Sequence, residues 1–222
     1  YIFSKLATRM WIPEGVSEEG VKAIGAKADK LSRYTGYKEE VYLSDFTPEN
    51  DFRKKIGINQ DQILVTLRPP ATLANYHNEQ SERFLVEIIH LLKKNPSVFT
   101  ICLPRTKVQG IELKKHRSEK FIIPEEVMDG MNMAYHSDLV ISGGGTMNRE
   151  AALLGTPVYS IFSGKLGSLD AFMEKNGLIR FVHGISDIAK IKLGKKNILT
   201  NRHNNKGLVK FLADELLRLA VR

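Results

Sequence analysis

Along most of the chain the apolar positions fall into two alternating patterns. Short continuous apolar runs occur at Ile63–Leu67, Phe99–Leu103, Phe121–Ile123, Asp138–Ser142, Pro157–Phe162 and Ile179–Val182. Between them the apolar residues recur at helical spacing, in Glu79–Lys94 with Phe84, Ile88, Leu91 and Leu92 on one face, then in Val127–His136, Thr146–Leu154 and Ser168–Lys175. Strand-length runs that are apolar throughout are buried on both faces, which is a property of parallel sheets, and right-handed crossovers then lay the intervening helices on both sides. The pattern predicts an α/β fold, a doubly wound parallel sheet of Rossmann-like type, from Asp61 onward.

The first forty-odd residues read as a smaller piece. A strand is expected around Arg9–Pro13, a helix from Ser17 to Ala26 with Ser17 as its N-cap and Glu18 and Glu19 in the first turn, and an extended stretch through Tyr34–Tyr37. Ser44–Asn50 is rich in turn formers and leads into a short helix, Asp51–Ile56, ended by Gly57. Lys206–Arg222 predicts an amphipathic helix with Val209, Leu212, Leu216 and Leu219 on a stripe and Arg218 and Arg222 at its C-terminal dipole. The expected organisation is 1–45 as the closing part of one lobe, 46–60 as a linker, 61–200 as a second lobe and 201–222 as a terminal helix. Because the sequence opens inside the apolar Tyr1-Ile2-Phe3 without a methionine, it is expected to be a piece of a longer protein.

Composition narrows the class. The 222 residues are 42% hydrophobic and 26% charged, the balance of an ordinary globular protein. No apolar run approaches the roughly 20 residues that cross a bilayer. A single cysteine, Cys102, excludes an intrachain disulfide and a cysteine zinc cluster, and fits a reducing cytoplasm. No His/Asp/Glu spacing resembles a metal site. The net charge of +8 favours anionic partners. Its clusters, Lys114-Lys115-His116-Arg117 and Lys195-Lys196, are not interleaved with aromatic residues as in a single-strand binder, so nucleotide phosphates are favoured over nucleic acid.

The richest chemistry lies in Asp138–Glu150, where an apolar strand runs into Gly143-Gly144-Gly145 and then into a helix starting near Thr146. Glycines permit positive φ and bring bare amides close to a ligand, while a helix N-terminus adds unpaired donors and about half a positive charge. In an open parallel sheet ligands lie at the carboxyl ends of strands, where this loop is expected. The amides of Gly144, Gly145 and Thr146, with the hydroxyls of Ser142 and Thr146, would meet a phosphate, and Glu150, one turn on along the helix, would reach a ribose. The triplet is neither a dinucleotide fingerprint nor a P-loop. The plain alternatives are a tight turn with close packing and a carboxylate that only complements the dipole.

Ser137–Thr146 followed by Glu150-Ala151-Ala152-Leu153-Leu154-Gly155-Thr156-Pro157-Val158 resembles the donor-binding motif of the GT-B superfamily. It is similar both to the lipid-linked N-acetylglucosaminyl transferases of cell-wall synthesis and to the non-hydrolysing UDP-N-acetylglucosamine 2-epimerases. The chain also resembles a broad microbial family of this superfamily described only as a domain of unknown function, whose pattern includes Tyr37–Leu43 and Phe162–Asp170. The likeness runs from about residue 8 to residue 182. It implies that Gly143–Thr146 hold a diphosphate, that Glu150 binds ribose, and that an entire N-terminal Rossmann-like lobe precedes this chain.

Further candidates follow from strand ends and from that likeness. Arg68, after Ile63–Leu67, would project at a carboxyl end beside the glycine loop and stabilise a departing diphosphate without a metal. The resemblance implies Ile122 and Ile123 as contacts to a uracil, Lys165 as a phosphate contact and Asp170 as a partner of sugar hydroxyls. Core packing would equally explain the isoleucines, and an exposed strand-end arginine the basic group. His136 and His183 have no partner visible in sequence and read as ordinary histidines. The leading expectation is a glycosyltransferase-like protein that takes a UDP-sugar as substrate and needs no cofactor, with a membrane-associated or glycan acceptor. An epimerase-like enzyme and a non-catalytic nucleotide- or nucleic-acid-binding module stay open. This chain alone is expected to be inactive, with the acceptor site and base in the preceding lobe. Nothing in the sequence indicates an oligomeric state.

Overall fold

The computed structural model describes residues 4, 6–71, 79–197 and 205–220. Tyr1-Ile2-Phe3 and Arg222 lie outside the described residues. In chain order the elements begin with β1 (Met10–Pro13), α1 (Glu18–Ala23), β2 (Leu31–Tyr34), α2 (Glu40–Leu43), α3 (Phe52–Lys55), β3 (Ile63–Arg68), α4 (Glu79–Lys94) and β4 (Val98–Cys102). There follow α5 (Lys107–Leu113), β5 (Phe121–Ile122), α6 (Gly130–His136), β6 (Leu139–Ser142), α7 (Thr146–Leu153), β7 (Val158–Ser160), α8 (Ser168–Lys175), β8 (Arg180–Phe181), α9 (Ile185–Ile188) and α10 (Lys206–Ala220). They form two compact units: residues 1–46, 166–177 and 203–222 make the first, and 47–165 with 178–202 the second.

In the first unit β1 and β2 pair in parallel, Met10 opposite Leu31, across the crossover through α1. The Ser17 hydroxyl accepts from Gly20 N at 3.1 Å and caps α1 as expected, which satisfies one of the orphan donors of the first turn. The buried carboxylate of Glu40 accepts from Tyr37 N at 2.7 Å. Burial, with Glu39 and Glu40 nearby, pushes the Tyr34 hydroxyl up to about 12. In α10 the sheltered positions are Leu208, Leu212 and Leu219, while Val209 and Leu216 are exposed, so the apolar stripe is rotated from the expected one.

The second unit is built on six parallel strands in the order β5-β4-β3-β6-β7-β8. The chain winds outward from β3 through β4 to β5, then crosses back to β6 and winds the other way. Side chains alternate across the sheet as the period of two requires. Val65, Leu67 and Cys102 pack with Phe84, Ile88 and Leu92 of α4 on one face; Leu64 and Ile101 pack with Phe52 of α3 and Met133 of α6 on the other. The short helix expected within segment 46–60 is α3, and its Phe52 and Arg53 are buried in this unit.

Two local readings differ. The helix expected from Val127 begins at Gly130, because the Asp129 carboxylate caps it by accepting from Met131 N at 2.9 Å and Asn132 N at 3.0 Å, and Val127 is left fully exposed. The helix α5 has no counterpart in the expected pattern; the Thr106 hydroxyl caps it from Gln109 N at 3.1 Å.

At the amino end of β6 a buried ion pair ties the unit together. Asp138 Oδ2 accepts from Arg53 Nη1 at 3.1 Å, from Lys195 Nζ at 3.0 Å and from Leu64 N at 2.8 Å, and Arg53 Nη2 reaches the carbonyls of Asn59 and Gln62. Burial raises the Asp138 carboxyl, but the hydrogen bonds from Leu64, Lys195, Arg53 and Lys196 hold it below the ordinary carboxylate value.

Candidate functional site

The strand order has its switch between β3 and β6, where the chain turns from one half of the sheet to the other. Crossovers leave this position on opposite faces, so a crevice opens at the carboxyl ends of the two strands. Arg68 and Ser142 stand opposite each other there, as the last residues of β3 and β6. Beyond them Gly143 N donates to Arg68 O at 2.8 Å, and the chain turns through Gly144 (φ +94°) and Gly145 (φ +101°) into α7.

These dihedrals explain the triplet. Gly145, at φ 101° and ψ −174°, lies in a region essentially reserved for glycine. Gly143 is buried, Gly144 is half-buried, and Gly145 and Thr146 are exposed at the start of α7. Among the described residues no protein acceptor takes the amide hydrogens of Gly144, Gly145 or Thr146. The loop offers a short row of N–H donors at a helix N-terminus, the arrangement that suits an anion.

Ser142 has a different part from the one expected of it. It is fully buried, and its hydroxyl donates to Gly144 O at 3.3 Å, so it braces the turn instead of presenting a donor to the crevice. Glu150 stands one turn after Thr146 on α7, half-buried. Asn148, between them, is buried, and among the described residues its Oδ1 has no hydrogen-bond partner.

Next to the loop lies a cavity of about 740 Å³, lined by Arg68, by Leu103–Lys107 with Gly110, Ile111 and Lys114, by Ile123–Met128 with Gly130, and by Met147 of α7. Ile123 is a lining residue; Ile122 pairs with Ile101 within the sheet and does not line it. Lys165 is exposed on the loop after β7, which is tied to α4 by Ser81 Oγ and Ser163 Oγ at 2.6 Å. Asp170 lies in the first turn of α8, in the first unit. The structure thus brings Arg68 and Ile123 into the lining of one cavity and sets the loop Gly143–Thr146 beside Arg68, while Glu150 follows one turn further along α7 and is not among the residues that line the cavity.

One residue in that crevice was not foreseen. Arg105, in the turn after β4, donates from Nε to Pro69 O at 2.7 Å and from Nη2 to Gly144 O at 2.5 Å. The sequence signal was available, since an arginine directly follows a buried strand at Leu103-Pro104-Arg105, the same rule that singled out Arg68. His136 is remote from the crevice: it stacks on Phe52 at 5.1 Å between ring centroids, and burial, Lys196 and Arg53 bring its imidazole down to about 4.

A six-stranded parallel sheet in this order, flanked by helices and carrying this loop at its switch point, is a Rossmann-like, doubly wound α/β unit, the fold class expected from the sequence. The chain belongs to the family described as "Protein of unknown function (DUF354)", which residues 3–222 match. It is 32% identical over 197 residues to the uncharacterized protein MJ0665 of Methanocaldococcus jannaschii, across 82% of this chain and 56% of that relative. Its fold is similar to that of the UDP-GlcNAc 2-epimerase from Neisseria meningitidis bound to UDP-GlcNAc, with a TM-score of 0.66 at 14% identity over 97% of this chain and 62% of that one. It is similar also to Anabaena Alr3699/HepE in complex with UDP-glucose, with a TM-score of 0.59 at 17% identity over 98% of this chain and 65% of that one. At such identities the likeness is one of fold. The chain spans just over half the length of its curated relative and about three-fifths of the epimerase.

Proposed function

We propose that this protein binds a UDP-sugar at the carboxyl rim of its six-stranded sheet and is the donor-binding part of a glycosyltransferase-like enzyme. The observation that carries this reading is the row of accessible amides at Gly144, Gly145 and Thr146, placed at the switch point beside a cavity large enough for a nucleoside. The two structures of similar fold, bound to UDP-GlcNAc and UDP-glucose, support the choice of ligand class.

In this reading the diphosphate lies on the loop amides at the positive end of α7, the ribose hydroxyls are held by Glu150, and the base enters the cavity past Ile123. Transfer breaks the bond between the anomeric carbon and the diphosphate oxygen while an acceptor hydroxyl bonds to that carbon. UDP departs with the electron pair, and the acceptor's proton passes to a base in the preceding lobe. The negative charge that develops on the diphosphate is met by fixed dipoles and by Arg68, which strengthens as the bond breaks and so lowers the barrier. Residues 1–45 are proposed to be the tail of that preceding lobe, a reading supported by relatives longer than this chain.

The test is thermal. Millimolar UDP should raise the melting temperature, because a ligand that binds only the native state stabilises it in proportion to the logarithm of saturation. Glu150→Ala should reduce that rise. Absence of any shift with every nucleoside diphosphate would sink the proposal. Conversion of UDP-GlcNAc to its 2-epimer without an acceptor would instead establish the epimerase-like alternative.

A further inference from the structure

The guanidinium of Arg105 lies across the glycine loop. Nε and Nη2 hold the carbonyls of Pro69 and Gly144, and Nη1 stands 3.7 Å from the position a Cβ would take on Gly145. Arg105 and Arg68 both line the cavity that adjoins the loop. The turn that carries Arg105 is itself fixed. Gln109, buried at 4% exposure, accepts from Arg105 N at 2.8 Å and donates from Nε2 to Pro70 O at 2.8 Å. A buried glutamine engaged at both ends, on Arg105 and on the Pro70 that Gly143 packs against, locks the turns after β3, β4 and β6 to one another.

A guanidinium has five donors in a planar fork that matches phosphate oxygens in pairs, and that of Arg105 belongs to a residue lining the cavity beside the loop. We propose that Arg105 is a phosphate-binding residue of this site, which grips the diphosphate of the nucleotide together with the loop amides and Arg68, and makes the site selective for diphosphates over nucleosides. The proposal rests on the nucleoside-diphosphate reading of the same crevice. Its carbonyl bonds pre-set the plane of the fork, so little side-chain freedom is lost when the anion arrives.

The experiment measures UDP and uridine affinities, by calorimetry and NMR titration, for the wild type, Arg105→Gln and Arg105→Lys. Arg105→Gln should weaken UDP about 10- to 100-fold, the usual effect of losing a charge-assisted hydrogen bond, and leave uridine within about twofold. Arg105→Lys should fall between, since it keeps the charge and loses the fork. Retained uridine binding also reports that the variant is folded; should Arg105→Gln not fold, the Arg105→Lys comparison carries the test. Unchanged UDP affinity, or equal losses for UDP and uridine, would overturn the proposal and make Arg105 a brace of the loop. A wild type that binds no UDP would overturn the functional reading itself, a result distinct from UDP binding that ignores Arg105.

Discussion

Gly143 stands so close to Pro70 that a Cβ built on it would lie 2.3 Å from the Pro70 Cα. The neighbour is backbone, not the end of a flexible side chain, so the loop after β3 and the loop after β6 touch in a way that only glycine allows. Gly143→Ala is expected to destabilise the protein by about 1–3 kcal/mol, as overpacking at a fixed contact does. It should also displace the amides of Gly144 and Gly145. Urea denaturation and the thermal shift with UDP check the two effects separately.

Gly145 makes a different demand, on dihedral space more than on room. At φ +101°, with Arg105 the nearest neighbour at 3.7 Å, Gly145→Ala meets no serious clash but must occupy a strained conformation. A stability loss of about 1–3 kcal/mol is expected. Relaxation of the loop would turn the amides away from the crevice, so UDP affinity should fall as well, which calorimetry would detect.

Asp138 neutralises a group of cations at the end of the sheet away from the crevice. Asp138→Asn leaves the guanidinium of Arg53, itself 6% exposed, without its carboxylate. Removing one partner of a buried ion pair costs about 3–5 kcal/mol, because the other charge stays desolvated. The urea midpoint should drop accordingly, while the remaining folded protein keeps its response to UDP.

His136 sets part of the acid sensitivity. Its imidazole titrates at about 4 in the folded protein against 6.5 ordinarily, through burial and the charges of Lys196 and Arg53. Between those values the unfolded chain takes up a proton that the folded chain refuses, so stability should fall as pH is lowered from about 6.5 to about 4 and then level off for this group. His116, also lowered by burial and by Lys115, Lys93 and His90, adds to the same slope. His136→Gln should therefore flatten, without abolishing, the dependence of the melting temperature on pH in that window.

Cys102, the last residue of β4, is fully buried, and burial pushes its thiol up to about 12. Thiol-specific reagents should fail to modify the native protein and react fully once it is unfolded.

Much of the fold was legible because burial on both faces writes itself into the sequence as unbroken apolar runs. The helices Glu79–Lys94 and Ser168–Lys175 appear with the expected ends, and Ile63–Arg68 and Leu139–Ser142 differ from expectation by one residue each. Weaker signals failed where a short polar cap outweighed apolar spacing, as at Asp129 and Thr106. In α10 the spacing of apolar residues allowed more than one stripe, and only packing selected Leu208, Leu212 and Leu219.

The candidate site divides along the same line. By itself the sequence determined the glycine triplet between a strand and a helix, and the strand-end position of Arg68, because both are local consequences of backbone conformation and strand termination. Only the tertiary structure decided that the Ser142 hydroxyl turns inward to Gly144, and that Arg105, from a different βα unit, crosses to the same loop. Those are contacts between segments distant in the chain, fixed by strand order and by the close approach of Pro70 to Gly143. No periodicity of side chains records which strand lies beside which.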